Sequence, residues 1–410
     1  MTGGVDTATI LGDCEVQAST LAPVLERLCA FLVRYVPHFS RREQREHATT
    51  YVEGLLSDLE RKSIEPIATR NEQYRRPLQH FVGAGRWTDE RLQDELRRHV
   101  TEEIGDPRGV LAIDGSSFPK HGGDSVGVKR QWCGRLGKRE NCQVGVYLGY
   151  ATPKGHALVG HRLYLPEEWC DDPERRARCH VPETVEFMKA WEIAAAMIEV
   201  EGAELPHAWV VADDELGRVG ELRELLRERG EHYVVDVPCV TMVRVVSTRG
   251  EGATLERADA WAKRLPPSAW THVHVRDGEK GPIVIDATMT KVRTNLGGQP
   301  GPVEMLLVIR TTGSTPEISF HLAHAPEAVS IEELVRAKAE RHRIEEDFER
   351  GKGEVGLGHY ELRSWVGWHH HQTLALIALF FLVAEHRRLG GKYTGNNPSS
   401  DGCRSGGAAA

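Results

Sequence analysis

Residues 110–117 read VLAIDGSS, an apolar run that ends in an aspartate, a glycine and two serines. A short apolar run of this kind is typical of a buried strand, and it places Asp114 at the carboxyl end of that strand. Ligands of α/β sheets bind at this edge, which makes Asp114 a candidate site residue. An aspartate at a strand end also caps turns, so this stretch alone leaves both interpretations open.

The same pattern recurs at residues 208–213, AWVVAD, where Asp213 directly follows a second buried strand. If the two strands are adjacent, Asp114 and Asp213 meet at one edge of the sheet. Two carboxylates suit a hard divalent cation such as Mg²⁺ or Mn²⁺. Asp214 is the competing choice for the second position, and its alternative role is to cap a helix that begins at Glu215.

The sequence around these two strands predicts a mixed sheet with flanking helices, and therefore an α/β fold. A helix predicted over 181–200 carries Pro182 near its start, where proline is tolerated. The candidates alternate as strand, strand, helix, strand, helix and strand, at residues 141–151, 156–166, 181–200, 208–213, 217–230 and 232–238.

Changes in sequence texture divide the chain into five parts. Apolar residues recur at spacings of three and four from about residue 18 to residue 100, which predicts an all-α domain. Short strand patterns separated by glycine- and proline-rich turns follow the core. The predicted parts are a helical region at 1–105, the first part of the α/β core at 106–237, a β-rich insertion at 238–315, the second part of the core at 316–389, and a flexible tail at 390–410.

Composition excludes several classes of protein. The 410 residues carry 52 basic and 60 acidic side chains, so the formal net charge is −8, which excludes a chain that packages nucleic acid through a global positive field. The 40% of hydrophobic residues argue against a mostly disordered chain. The longest apolar run, residues 373–384, is too short to span a bilayer, and no signal peptide pattern opens the chain. Eight cysteines are too few for a disulfide framework, so a cytoplasmic location is expected.

A third candidate is Glu345, in the helix predicted over 332–352. Lys338, Arg341, Glu345 and Lys352 lie at offsets of 0, 3, 7 and 14, which fall within an arc of roughly 60° on a helix. One helix face therefore presents a carboxylate among cations. The ordinary interpretation is a solvated, salt-bridged face. The functional one is that Glu345 completes a metal site while the cations hold the phosphates of a substrate.

Two aspartates, a glutamate and nearby cations are the minimum set for two-metal phosphodiester chemistry. One ion activates the attacking water or 3′-hydroxyl, and the other stabilises the leaving oxygen. This chemistry requires no side-chain nucleophile.

With these residues, the chain resembles the DDE transposases of bacterial insertion sequences. It is most similar to the branch whose third block reads Tyr-x2-Arg-x3-Glu-x6-Lys, except that Lys338 replaces the tyrosine. The resemblance covers roughly residues 30–390, and the similar blocks, in the family's order, are 126–151, 161–169, 210–218 and 343–371. It implies an RNase H-like catalytic core with a β insertion, and a catalytic, metal-binding triad of Asp114, Asp213 and Glu345.

The resemblance also implies a function. The enzyme would cut the ends of an insertion sequence and join the freed 3′-hydroxyls to target DNA, using two Mg²⁺ ions that Mn²⁺ can replace. Lys338, Arg341 and Lys352 would bind DNA phosphates, the helical region at 1–105 would recognise the ends, and a homodimer would hold two ends together. Two alternatives stay open: a non-catalytic DNA-binding protein derived from a transposase, and a metal-dependent nuclease without strand transfer.

Two further clusters carry alternatives. A basic stretch with Trp132 at its centre follows Asp114 and is either a strip that binds DNA phosphates or a solvated hairpin. Its cations are Lys129, Arg130, Arg135, Lys138 and Arg139. Three consecutive histidines at 369–371 predict either an exposed helix start or a packed partner for Trp365 and Trp368.

Overall fold

The computed structural model describes residues 23–247, 250–251, 254–278, 281–313 and 315–389. The predicted tail at 390–410 and the first 22 residues of the predicted helical region lie outside the described residues.

Within the described residues, five α-helices precede the sheet, in the region that the sequence predicted to be all-α. Each has an apolar face, and the aromatic side chains among them pack against one long helix near the end of the chain: the rings of Phe31 and Phe380, for example, lie 6.0 Å apart. The five helices are α1 (Val24–Leu32), α2 (Arg42–Leu55), α3 (Ile64–Arg70), α4 (Arg75–Ala84) and α5 (Asp89–Ile104).

The core sheet begins with β1 (Val110–Pro119), which pairs with antiparallel β3 (Lys138–Thr152) on one side and with parallel β5 (Trp209–Ala212) on the other. β3 also pairs with β2 (Lys129–Cys133) and with β4 (Gly155–Leu163). β6 (Tyr233–Val237) lies parallel to β5 on its far side. A mixed sheet with flanking helices was predicted, and the structure confirms the RNase H-like class of fold.

The strands of the predicted insertion extend this sheet without a break. The last strand before the C-terminal helices, β13 (Ile318–His324), returns to the core and pairs antiparallel with β6. The other strands are β7 (Met242–Ser247), β8 (Gly250–Glu251), β9 (Glu256–Arg257), β10 (Thr271–Gly278), β11 (Gly281–Leu296) and β12 (Gln299–Thr311). β13 links β6 to the long β11–β12 hairpin, so the order continues as β6-β13-β12-β11-β7 through the described residues.

Helices flank the sheet, and two of them differ from the prediction. α8 (Ala190–Val200) begins eight residues after Pro182, because the Arg176 guanidinium binds the carbonyls of Pro182 and Val185 at 2.8 Å and holds that segment in a non-helical form. The helix predicted over 332–352 is two helices, interrupted at residues 340–341. In chain order the remaining helices are α6 (Glu167–Cys170), α7 (Pro173–Arg178), α9 (Asp214–Gly217), α10 (Gly220–Glu228), α11 (Ala258–Lys263), α12 (Ile331–Ala339), α13 (His342–Glu354) and α14 (Trp365–Arg388).

The long helix α14 is the centre of the core. By length and composition it could cross a membrane, but 83% of its most apolar window is buried inside the protein, so it serves as a core helix. The predicted packing against Trp365 and Trp368 is confirmed for His369, whereas His370 and His371 are buried against other residues; the exposed interpretation is wrong for these two, which are 1% and 0% exposed. The His370 ring stacks on Trp87 at 3.4 Å between centroids, and His369 lies 4.5 Å from Trp365.

Candidate active site

Asp114 and Asp213 meet, as the sequence predicted, but Asp114 does not end its strand: β1 continues to Pro119, and Asp114 lies where the pairing with β5 stops. β1 and β5 are parallel neighbours with Ile113 opposite Ala212, so the residues that follow, Asp114 and Asp213, reach the same edge of the sheet. The four paired residues of each strand, 110–113 and 209–212, are apolar and buried, which fixes this register. Because this parallel pairing stops at Ile113 and Ala212, the two carboxylates that follow open into one crevice.

Asp213 also begins a helix, which the sequence assigned to its neighbour. One carboxylate oxygen of Asp213 accepts a hydrogen bond from the backbone N–H of Leu216 at 3.1 Å, so Asp213 caps α9. Asp214 lies inside that helix and forms an ion pair with Arg218 at 2.6 Å. The prediction that Asp214 caps a helix beginning at Glu215 is therefore wrong.

Arg341 lies among the carboxylates. Its guanidinium contacts Asp114 Oδ2 at 3.4 Å and Asp236 Oδ2 at 3.3 Å, and it donates to Glu345 Oε1 at 2.6 Å. Only 19% of the Arg341 side chain is exposed. Three carboxylates from β1, β6 and α13 thus converge on one cation, and this is where the predicted continuous helix is interrupted.

The helix face that the sequence predicted is only partly preserved. Arg341 and Glu345 remain one turn apart at the start of α13, and Lys352 lies further along the same helix. Lys352 lies over the rings of Phe348 and Phe118, 5.4 Å and 5.9 Å from their centroids. Burial and the neighbouring Arg135 lower the pKa of Lys352, while the nearby Asp114 opposes that shift, so Lys352 also adjoins the crevice. Lys338 belongs to the preceding helix α12 and acts electrostatically on Asp236.

Asp236 and two partners on β13 are site residues that the sequence interpretation missed. Asp236 Oδ1 accepts a hydrogen bond from His321 Nδ1 at 2.8 Å, and His321 Nε2 is 2.8 Å from Ser319 Oγ. An ionisable residue within the apolar run at 232–238 is the same signal that singled out Asp114 and Asp213, and it was available in the sequence. The partnership with His321 was not, because it depends on two strands 85 residues apart.

These residues line one cavity of about 460 Å³, open at the edge of the sheet. Burial, together with the charge of Asp213, raises the pKa of Asp114 to about 7, although Arg341 opposes the shift. Burial also raises the pKa of Asp213. The lining residues are Asp114, Asp213, Asp214, Asp236, Val237, Cys239, Ile318, Ser319, Phe320, His321, Arg341 and Glu345.

The donor chemistry of this cavity fits a hard divalent cation. Carboxylate oxygens are the ligands that Mg²⁺ and Mn²⁺ prefer, and the mutual repulsion that raises the pKa of Asp114 is the kind that a bound cation relieves. Within the described part of the chain, no three acidic, histidine or cysteine side chains stand close enough to form a ready-made metal cluster. Arg341 bridges Asp114 and Glu345 in their present arrangement.

The predicted basic stretch forms a hairpin, and its Arg135 acts electrostatically on Lys352. β2 and β3 are its two strands, and Trp132 between the cations is 61% exposed. Lys129 forms an ion pair with Glu168 at 3.0 Å and Lys138 one with Glu140 at 3.1 Å. The exposed side chains of this hairpin include Arg130, Arg135, Lys138 and Arg139.

A mixed sheet with a carboxylate cavity at the ends of its parallel strands is the arrangement expected of a DDE-type nuclease core. A family model described as DDE superfamily endonuclease matches residues 34–291, more than half of the chain. The chain belongs to this family. The matched residues include Asp114 and Asp213 and end before Glu345.

One curated relative supports the resemblance to insertion-sequence enzymes. The chain is 26% identical over 205 residues to a probable transposase for insertion sequence element IS701 from Microchaete diplosiphon. The alignment covers 45% of this chain and 49% of the relative, so the chain spans about half the length of the relative it matches. Among solved structures, the NurA nuclease from Sulfolobus solfataricus aligns over 64% of this chain and 88% of its own, with 10% identity and a TM-score of 0.29, a similarity too weak to support an argument.

Proposed function

We propose that the protein is a DNA transposase that cuts the ends of an insertion sequence and joins the freed 3′-hydroxyls to target DNA. The observation that carries the proposal is the convergence of Asp114, Asp213 and Glu345 on one cavity at the sheet edge, with Arg341 among them. Membership of the DDE superfamily endonucleases supports the same chemistry.

The three carboxylates are the proposed catalytic and metal-binding residues. Asp114 and Asp213 would hold two Mg²⁺ ions between them, and Glu345 would complete the second site. When bound, such ions activate the attacking oxygen and stabilise the leaving oxygen of a phosphodiester. In the first step a water oxygen attacks the phosphorus and the 3′-oxygen leaves; in the second, that 3′-hydroxyl attacks a target phosphodiester and displaces its 3′-oxygen.

The cations around the cavity are the proposed phosphate ligands. Arg341 offers a planar fork of N–H donors that matches phosphate oxygens, and Lys352 adds a point charge beside Asp114. The basic hairpin continues this surface outward, so DNA binding at a net charge of −8 would depend on local phosphate contacts. The proposed contacts are Lys338, Arg341 and Lys352 at the cavity and Lys129, Arg130, Arg135 and Lys138 on the hairpin.

Further parts of the proposal follow from the reaction. The N-terminal helices α1–α5 would recognise the end sequences, and two copies of the chain would hold two ends together in a homodimer. The substrate implies a cytoplasmic protein that acts on the nucleoid. We also propose that the functional regions of the chain end at residues 105, 237, 315 and 389, the divisions predicted from the sequence.

The test is a cleavage and joining assay on the DNA ends that flank the gene, with Mg²⁺ or Mn²⁺. Wild-type protein should release 3′-hydroxyl ends and form joined products, and Asp114→Asn should do neither while binding the ends normally. Glu199→Gln is the matched control, because that carboxylate is 59% exposed and pairs with Arg229 outside the cavity.

Each alternative gives a different result. Cutting by the wild-type protein without joined products would identify a metal-dependent nuclease. Specific binding of the ends with no cutting by the wild type or by Asp114→Asn would identify a DNA-binding protein derived from a transposase. Cutting that survives Asp114→Asn would refute the proposed active site.

A further inference from the structure

Asp236 faces two different partners. Its Oδ2 contacts the Nε of Arg341 at 3.3 Å, and its Oδ1 accepts from His321 Nδ1 at 2.8 Å. Both oxygens are therefore engaged, unlike those of a carboxylate that is ready to bind a metal ion. Asp236 lines the cavity but is committed to organising other side chains.

His321 is 0% exposed, and burial lowers its pKa while the contact with Asp236 opposes that shift. A carboxylate can only accept, so Nδ1 is the nitrogen that donates to Asp236. A ring with this one N–H accepts at Nε2, where Ser319 Oγ lies at 2.8 Å. The chain Ser319 to His321 to Asp236 thus has one direction of donation and fixes the orientation of the carboxylate.

Asp236 keeps its negative charge in this setting. Burial alone favours the neutral acid, but the hydrogen bond from His321 and the charges of Lys338 and Arg341 outweigh it and lower the pKa of Asp236. The register explains the pairing, since Asp236 on β6 lies directly opposite His321 on β13.

Arg341 conflicts with metal binding as it stands. Its guanidinium is always charged and contacts Asp114 and Glu345, two of the three carboxylates proposed to hold the metal ions. Metal ions and this cation compete for the same oxygens. Asp236 is the one of its three carboxylate partners that is outside the proposed metal set.

We propose that Asp236 is a positioning residue that retains Arg341 in the cavity when metal ions take Asp114 and Glu345. The contact at Nε would then persist while the freed N–H groups of Arg341 face the scissile phosphate. The inference rests on the proposed function. It adds that three of the four carboxylates bind metal ions, whereas the fourth, Asp236, holds Arg341.

The test is a double-mutant cycle on Mn²⁺ binding, measured by electron paramagnetic resonance on the full chain without DNA. In Asp236→Asn, Arg341 has only the metal ligands as partners and competes more strongly for them. We expect Asp236→Asn to weaken Mn²⁺ binding about fivefold. In an Arg341→Gln background the competing cation is gone, and the same change should have less than about a twofold effect; the ratio of the two effects is the coupling and is of ordinary size for residues in contact.

The cycle separates this mechanism from a general loss of negative charge. If Asp236→Asn weakens Mn²⁺ binding equally in both backgrounds, or in neither, the inference is overturned. A wild-type protein that neither binds Mn²⁺ nor cuts DNA would instead overturn the proposed function and the inference with it.

A second pair of variants covers the possibility that Asp236→Asn does not fold. His321→Asn keeps an amide N–H near the position of Nδ1 and should bind Mn²⁺ as wild type does. His321→Leu removes the donor and should weaken Mn²⁺ binding in the same direction as Asp236→Asn. Equal binding by these two variants would contradict the role given to His321.

Discussion

The sheet-edge cavity and the interior around α14 both bury ionisable side chains, but they treat them differently. Around α14, burial lowers the pKa of His370 to about 4 and of His371 to about 3. The two ring nitrogens of His370 lie 2.9 Å from the carbonyls of Val82 and Trp87, of which a neutral ring can donate to one, and Asp89 is its single acidic influence within the described part of the chain; His371 contacts Tyr51. In the cavity, Asp114 and Asp213 are also shifted by burial, but their neighbours are other charges. A shifted pKa therefore marks a site only where charged groups, open to solvent on one side, surround the residue.

The largest effect should separate two adjacent aspartates within the cavity. Asp213→Asn removes a proposed metal ligand, and we expect about a 10²–10³-fold loss of DNA cleavage, the order of magnitude for removing one preorganised electrostatic group. Asp214→Asn removes only an ion pair with the half-exposed Arg218 and should leave the rate within about threefold. Single-turnover cleavage at saturating metal measures both rates. Comparable losses in the two variants would contradict the assignment of Asp213, and not Asp214, as the metal ligand.

The second effect should fall on stability and only around α14. His370→Leu removes a ring stacked at 3.4 Å on Trp87 and takes away the one N–H that the neutral ring can donate to the buried carbonyl of Val82 or of Trp87. We expect the free energy of unfolding to fall by about 2–4 kcal/mol, measured by urea denaturation. Asp114→Asn, in contrast, relieves repulsion and should not lower the free energy of unfolding. A destabilised Asp114→Asn would remove the contrast between the two regions.

The third effect is the pH dependence that the α14 region imposes. The folded-state pKa values of His369, His370 and His371 lie well below the usual value, so each is neutral when folded and binds a proton first when unfolded. Their contribution to stability is complete above about pH 6.5 and is lost as the pH falls toward about 4. Each histidine should contribute a slope on the order of 1 kcal/mol per pH unit in that window.

Urea titrations between pH 4 and pH 7.5 measure this slope, and His369→Gln should reduce it relative to wild type. A free energy of unfolding that does not change across the window would show that the rings are accessible to protons in the folded protein.

The smallest effect should come from the basic hairpin outside the cavity. Arg130 is exposed, whereas Lys129 next to it is paired with Glu168. We expect Arg130→Gln to reduce the slope of log affinity for DNA against log salt concentration by about one, with a smaller change for Lys129→Gln. Fluorescence anisotropy at several salt concentrations gives both slopes, and unchanged slopes would favour a hairpin that is merely solvated.

Local patterns predicted much of the fold and part of the site. The apolar runs at β1 and β5 were enough to place Asp114 and Asp213 at one edge, because strand burial and strand ends are properties of a few adjacent residues. The helix interruption at Arg341 was not predictable, since the three carboxylates that contact this residue include two from distant strands. The late start of α8 has the same origin, because Arg176 binds carbonyls that a helix would otherwise use.

The partners of Asp236 show where sequence reasoning ends. A buried aspartate in an apolar run was visible, but its role depends on His321, which faces it only because β13 pairs with β6. For the histidines of α14 the sequence left two environments open, an exposed helix start and a packed position. For His370 the stacking on Trp87, a residue distant in sequence, decides between them.

The return of β13 to the core has a consequence for building chimeric proteins. The segment between β6 and β13 looks exchangeable, because it starts at the end of one core strand, β6, and ends at β13, the strand that pairs with β6. Its final strand, however, carries Ser319 and His321 and forms the wall opposite Asp236. A chimera that exchanges this segment between relatives therefore needs its downstream junction before Ile318, so that the whole of β13 stays with the host. A junction after His324 would replace part of the host's cavity together with the insertion.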